Sequence, residues 1–270
     1  MSAPAFQPCG IITLTSDFGL RDPFVGLMKA RILERLPQAR IVDLTHEVTA
    51  HAPEEGGFWL ARSFEYFPAG SVHVAVVDPG VGTARAVLCA ESGTHVLLAP
   101  DNGLLGAVAL RGPLRVRRVL EESLQTLRLP PRSATFHGRD LFAPLAAELA
   151  AARCTPAQLG PAIEQWERGS HAAALEQEGG VRGRVVTIDR FGNLITNIDA
   201  SALAHLPRPQ VSVAGQALTL RRTYGDAGVG ELLALINSFG VLEIAQRQGS
   251  ASATLGLGRG ASVEVRGQPA

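Results

Sequence analysis

The strongest constraint on the fold is an alternation of short apolar runs with amphipathic stretches between residues 10 and 110. The run GIITLTSDFG (10–19) predicts a buried strand ending in polar and glycine residues. DPFVGLMKARILERL (22–36) predicts a helix with Asp22 as N-cap and Pro23 in its first position. RIVDLT (40–45) predicts a second strand. PEEGGFWLARSFEYF (53–67) predicts a helix from the spacing of Phe58, Ala61, Phe64 and Phe67 and the acids in its first turn. SVHVAVVD (71–78), AVLCAE (86–91) and HVLLAP (95–100) supply three further strands, and DNGLLGAVAL (101–110) starts another helix. This order implies an α/β domain with a mixed, mainly parallel sheet covered by helices on both faces. Ligands of such sheets bind beyond the carboxyl ends of the strands.

The pattern changes after residue 170. HAAALEQEGG (171–180) is a polar, glycine-containing link, and beyond it VRGRVVTIDRFGNLITNI, PQVSVAGQALTLRRTY, SATLGLG and ASVEVRG read as short strands separated by turn signals. The expected organisation is therefore an α/β domain over 1–170, a linker over 171–180 and a smaller β-rich, barrel-like domain over 181–270.

Lys plus Arg and Asp plus Glu both number 25, so the net charge is zero, which argues against electrostatic capture of nucleic acid or an anionic membrane. The expected partner is a small molecule or a sister subunit. Cys9, Cys89 and Cys154 are far apart and form no CxxC pair, so they read as buried thiols rather than a disulfide framework or a zinc site. The N-terminus MSAPAFQPCG lacks the basic and apolar regions of a signal peptide, and no apolar run reaches membrane length, so a cytoplasmic location is expected.

Polar residues gather at the predicted strand ends: Ser16 and Asp17, Asp78, then Asp101 and Asn102. Any one of them alone reads as a cap or turn former. Asp78 opens the loop DPGVGTAR (78–85), whose Gly80 and Gly82 resemble the spacing of an anion nest, although the carboxylate would repel a phosphate unless Arg85 offset it. His137 in TFHGRD (135–140) sits before a predicted helix, where its ring can project into a pocket and titrate near neutral pH. The other histidines, His46, His51, His73, His95, His171 and His205, read as capping or packing residues. Asp17, Asp78 and Asp101 would also suit Mg²⁺ in a metal-dependent phosphohydrolase, but no DxD, HExxH or GxxxxGK[ST] pattern accompanies them. The first strand carries no GxGxxG dinucleotide fingerprint.

Seven blocks in order, TSDFG (15–19), VDLTHEV (42–48), DPGVGTAR (78–85), APDNGLL (99–105), TFHGRD (135–140), IDRFGNLITNI (188–198) and INSFGVLEIA (236–245), carry a resemblance. The chain resembles the S-adenosyl-L-methionine (SAM) hydroxide adenosyltransferases, the adenosine-forming SAM hydrolases related to fluorinase and chlorinase. The resemblance implies hydrolysis of SAM to adenosine and L-methionine by substitution of water or hydroxide at C5′, with no cofactor and no metal. It also implies a homotrimer whose active sites lie between the α/β domain of one subunit and the β-rich domain of the next.

The family's water-activating set falls on Asp78, Arg85 and His137. In the halogenases the first of these positions is aromatic, the third is not histidine, and a small hydroxyl residue stands where this chain has Val81, so the chain resembles the hydroxide branch. Substrate contacts implied by the resemblance are Asp17 for the ribose hydroxyls, Asn193 for adenine, and Phe136, Phe191 and Tyr224 for apolar or stacking contact with the nucleoside. Asp189 and Ser238 match groups around the methionine amine, and Asn237 and Glu243 lie in the family motif INSFGVLEIA. Phe239 replaces the halogenase arginine that meets the methionine carboxylate, which leaves the holding of that group open. Two rival readings stand beside this one: a SAM or adenosine sensor with incidental turnover, and the metal-dependent phosphohydrolase.

Overall fold

The structure is a computed structural model describing residues 6–171 and 173–268. The chain divides into two compact units, residues 1–171 and 172–270.

The first unit is built on a six-stranded sheet with the order β2-β1-β3-β5-β4-β6. Its strands are β1 (Ile11–Ser16), β2 (Arg40–Thr45), β3 (Val72–Val76), β4 (Val87–Ser92), β5 (His95–Pro100) and β6 (Arg115–Arg118). β2, β1, β3 and β5 run parallel, whereas β4 and β6 complete an antiparallel edge. Alternate side chains of the buried strands feed two cores. Ile12, Leu14, Val72, Val74 and Val76 pack under α1 (Phe24–Arg35) and, much later in the chain, Ala143–Ala150. Ala75, Val77, Leu97 and Ala99 pack with Leu60 and Phe64 from α2 (Pro53–Ser63) and the turn that follows it. Both faces of the sheet are thus covered, as the near-continuous apolar strands require.

Helix α1 starts one residue later than the sequence suggests. Pro23 itself occupies the capping position, its carbonyl accepts the Leu27 N–H at 2.9 Å, and no side chain caps the end. Proline's fixed φ begins the turn without help from Asp22.

The second unit is a closed seven-stranded β-barrel formed by β8 (Gly180–Ile188), β9 (Leu194–Asp199), β10 (Gln210–Val213), β11 (Gln216–Arg221), β12 (Leu232–Ile236), β13 (Val241–Gln246) and β14 (Ser262–Arg266). Pairing of β14 with β8 closes it, so the barrel strands present no unpaired edge. The short strand β7 (Leu175–Gln177), inside the segment expected to be a linker, pairs with β8. SATLGLG does not form the expected strand: Ala251–Leu255 is a short helix, with the Ser250 hydroxyl accepting the Ala253 N–H and Gly256 ending it at φ 64°. Capping chemistry at both ends overrides the alternating pattern there.

Two of the histidines read as packing residues form a buried chain in the first unit. Thr13 Oγ1 lies 2.8 Å from His73 Nδ1, and His73 Nε2 lies 3.1 Å from His95 Nδ1. Burial first, and the neighbouring His95 second, push His73 down to about 3. The unfolded chain protonates this ring near 6.5, whereas the folded chain resists protonation until about 3. The ring's contribution to stability is therefore complete above about pH 6.5 and is lost as pH falls through that window. Thermal unfolding followed across it should show a steeper decline in Tm for the wild type than for His73→Gln; identical slopes would assign the acid sensitivity elsewhere.

Candidate active site

The topology decides which side chains can meet. β1, β3 and β5 end at one edge of the sheet, and because β4 runs antiparallel to β5, with Val87 opposite Pro100, the start of β4 lies at that same edge. The loop from Asp78 to Ala86 therefore leaves and re-enters the sheet on one side. Its turns are closed by Val81 N–H to the Asp78 carbonyl at 3.2 Å and by the Thr83 hydroxyl to the Gly80 carbonyl at 2.7 Å. Gly82 has φ +80°, and a Cβ there would stand 2.5 Å from the Ala134 carbonyl oxygen. Only glycine allows this loop to approach the segment that carries His137.

Within the loop, Arg85 Nε donates to both Asp78 oxygens at 3.0 and 2.9 Å, and its Nη2 makes a further short contact with Oδ2. The same Nη2 lies 2.9 Å from His137 Nδ1. The Asp78 and Arg85 side chains are only 3% and 8% exposed, and the guanidinium lies over the Phe142 ring at 5.7 Å. A guanidinium has only donors, so Nδ1 must accept and the imidazole proton resides on Nε2. Burial, then Arg85 and Arg132, hold His137 below its ordinary value of 6.5, opposed by Asp78 and Asp140.

His137 stands at the start of a π-helical turn, Gly138–Phe142. The Asp140 carboxylate accepts from the Ser133 N–H at 3.0 Å and from both ends of the Arg139 guanidinium, tying down the loop that leads to His137. A cleft of about 450 Å³ opens beside Arg85 and His137, with Arg118, Glu122 and Arg132 in its wall.

Asp17 follows β1, and its Oδ2 accepts the His51 N–H at 2.9 Å. Nearby, Phe136 packs edge-on against Phe18 and Phe24, with centroids 5.6 and 5.3 Å away. Asp101 and Asn102 do structural work instead. Asp101 Oδ1 accepts the Glu167 N–H at 2.8 Å, and Asn102 Nδ2 donates to the Val77 carbonyl at 2.8 Å. Among the described residues, no group of three or more His, Cys, Asp or Glu side chains is arranged to hold a metal ion.

The barrel unit carries its own polar cluster. In the β8–β9 hairpin, Asp189 Oδ1 accepts the N–H groups of Phe191 and Asn193, both at 2.9 Å, and Oδ2 accepts Asn193 Nδ2 at 2.9 Å. Phe191 projects from this hairpin and is 74% exposed. Gly192, at φ +82°, turns the hairpin against Ser250, where a Cβ would lie 2.0 Å from Oγ. On β13, Leu242 and Ile244 enter the barrel core, so Glu243 between them faces outward. There it is buried to 2% exposure, accepting Tyr224 Oη–H at 2.7 Å and Asn237 Nδ2 at 3.0 Å. Burial raises Glu243, with Asp189 adding to the shift against the two hydrogen bonds; burial and the Glu243 contact raise Tyr224. Ser238 is exposed in the β12–β13 turn, where Asn237 Oδ1 accepts the Phe239 N–H at 3.0 Å.

Residues 12–160 match the SAM hydroxide adenosyltransferase N-terminal domain, and residues 183–264 match the C-terminal domain of the same family. The chain belongs to this family. A Thermus thermophilus protein named (R)-S-adenosyl-L-methionine hydrolase is 40% identical over 255 residues, covering 93% of this chain and 97% of its own. A fluorinase from Nocardia brasiliensis is 28% identical over 294 residues, covering 95% of this chain and 96% of its own. Among solved structures, an uncharacterized conserved protein from Thermotoga maritima superposes with a TM-score of 0.85 at 32% identity, covering 95% of this chain and 99% of that one.

In this hydroxide adenosyltransferase the first unit brings together Asp78, Arg85 and His137, and separately Asp17 and Phe136 at the β1 end. The barrel groups Asp189 with Asn193, and Glu243 with Tyr224 and Asn237. Sequence reasoning did not single out Arg132 or Asp140, both of which act on His137, although Asp140 closes the TFHGRD block. At neutral pH, nitrogen-15 NMR of His137 should show a proton on Nε2 alone and a titration midpoint below 6.5. Arg85→Leu removes the cation that opposes protonation and should raise that midpoint. A wild-type midpoint at or above 6.5 would contradict the geometry.

Proposed function

We propose that the chain hydrolyses SAM to adenosine and L-methionine by direct attack of water on C5′. The observation that carries this reading is the single unit formed by Asp78, Arg85 and His137 in a chain whose relatives at 38 to 40% identity are named (R)-S-adenosyl-L-methionine hydrolase. Methionine leaves a sulfonium as a neutral thioether, so the reaction needs no acid on the leaving group. Its demand is a water held in line with the C5′–S bond with one proton drawn away. Because Arg85 occupies Nδ1 of His137, the Nε2–H donates to that water, and the Asp78 carboxylate accepts its proton. Arg85 keeps both partners in register through hydrogen bonds whose geometry a lysine could not reproduce.

Asp17 accepts from the ribose hydroxyls, and Phe136 supplies an apolar wall. From the barrel, Asn193 reads adenine while Phe191 and Tyr224 cover it, and Asp189 and Ser238 face the methionine amine, with Asn237 and Glu243 bracing them. The active assembly is a homotrimer in which the barrel of one subunit completes the site on the first unit of another. The division of the implied residues, five in the first unit and seven in the second, supports this arrangement. The enzyme works in the cytoplasm, a placement supported by three cysteines that are all free thiols, Cys9 half-buried, Cys89 and Cys154 buried. Among the described residues no helix is long and apolar enough to cross a membrane.

Incubation with SAM in oxygen-18-labelled water should yield methionine and adenosine labelled at the 5′ hydroxyl, unaffected by EDTA. Asp78→Ala, Arg85→Ala and His137→Ala should each lower turnover by about two orders of magnitude or more. Unlabelled adenosine, or wild-type rates in all three variants, would sink the mechanism, and tight nucleoside retention without turnover would favour a sensor.

Shared sites also predict complementation. Asp78→Ala and Asn193→Ala chains, each inactive alone, should regain activity when co-expressed, with about one site in four intact by random assembly. Absence of recovery in mixed trimers would place both halves of the site on one subunit.

A further inference from the structure

The VDLTHEV block has no part in the chemistry above, yet His46 within it is 2% exposed and lies against the β1 end. Its Nδ1 stands 2.7 Å from the hydroxyl of Ser16, which is fully buried and also accepts the Phe18 N–H at 3.3 Å. Its carbonyl accepts the Gly19 N–H at 2.8 Å, so side chain and backbone of one residue grip both ends of the Asp17–Phe18 turn. On the far side of the ring, Nε2 makes an off-axis contact of 3.1 Å with Asp43 Oδ1, and Asp43 is itself held by Lys29 at 2.6 Å. The loop that starts at His46 ends at His51, which adopts φ +63° and points its N–H at Asp17 Oδ2. A positive φ is sparsely populated for a residue with a side chain, and such conformations persist where the surroundings over-determine them.

We propose that His46 is a positioning residue for the ribose: it fixes the β1-end turn so that Asp17 presents its carboxylate to the sugar hydroxyls. His46 touches no reacting atom and acts only through the Ser16 hydroxyl and the Gly19 amide. The inference rests on the ribose-binding reading of Asp17. Its distinctive consequence is that loss of His46 weakens recognition of the hydroxyls and not of the base.

The test is calorimetric titration of the full chain with adenosine and with 2′,3′-dideoxyadenosine, which lacks both hydroxyls. His46→Ala should weaken adenosine at least about tenfold, the usual scale for removing a residue that orients a binding group, and leave dideoxyadenosine unchanged. His46→Asn, whose amide can meet the Ser16 hydroxyl, should recover most of the loss. Unaltered adenosine affinity in His46→Ala, or equal losses for both nucleosides, would overturn the proposal. Should His46→Ala fail to fold, Ser16→Ala decides by the same comparison. Asp17→Asn separates the two layers: wild-type discrimination between the nucleosides in that variant removes the reading of Asp17 itself. Lost discrimination there, with discrimination intact in the His46 and Ser16 variants, removes only the positioning role.

Discussion

One guanidinium organises the first unit's site. Arg85 donates to both oxygens of the Asp78 carboxylate, and with one of the same nitrogens it occupies one edge of His137. A carboxylate only 3% exposed is costly without a charged partner, and a cation beside an imidazole disfavours a second positive charge. The two effects reinforce each other: the partner that makes Asp78 tolerable also adds to burial in keeping His137 neutral, with its proton on Nε2. The arrangement depends on strand direction. In a wholly parallel sheet the residue before β4 would emerge at the opposite edge from Asp78. The antiparallel β4 returns Arg85 to the strand ends within seven residues of Asp78, and Gly82 lets the His137 segment close over the loop.

Much of this was legible in the chain because it is local. The apolar runs at 10–19, 71–78, 86–91 and 95–100 all hold strands, since strands buried on both faces leave an unmistakable apolar run, and the largely exposed edge strand at 40–45 falls where its β-branched residues place it. The Asp78 and Arg85 pair sits in one eight-residue loop. What escaped is non-local. Asp101 could be weighed as a metal-site acid because a strand-end carboxylate has the same appearance whether it faces a ligand or a backbone amide. The amide that claims Asp101 belongs to Glu167, far along the chain. His46 is the buried packing histidine its sequence suggests, but its hydrogen bond to Ser16, on β1 and distant in the chain, is not legible locally. The Ala251–Leu255 helix was missed because Ser250 and Gly256 define it, whereas the residues between them alternate in a way that either structure tolerates.

The barrel shows how a small β domain carries a rigid polar surface. A closed barrel fills its interior with Val, Leu and Ile and must place recognition groups outside or in its hairpins. In the β8–β9 hairpin the Asp189 carboxylate accepts three hydrogen bonds from within the turn, so it fixes the Asn193 amide while standing beside it. On the outer wall Glu243 receives Tyr224 and Asn237 in a pocket of low exposure, where an unsatisfied carboxylate would be expensive. These groups are already held by hydrogen bonds within the barrel unit, and side chains ordered in advance reduce the ordering entropy that any binding there must overcome.

The same charge arrangement bears on the choice of nucleophile. A halide approaching the proposed site would meet Asp78, whose compensating cation is already engaged, so the pair offers no net attraction. Two like unit charges 4 Å apart repel by about 4 kcal/mol at the effective dielectric of a partly buried site, and Arg85 on the same carboxylate offsets that repulsion without leaving the halide a cation of its own. A halide entering there would also give up its hydration with no cation to replace it. Water carries no such penalty and gains a donor in the His137 Nε2–H and an acceptor in the Asp78 carboxylate. Val81, in the same loop, adds no hydroxyl that could hold an anion. A neutral leaving group removes any need for an acid, so a carboxylate, its cation and a neutral imidazole cover what attack by water requires, and the carboxylate that would accept the proton is also the group that repels an anionic nucleophile.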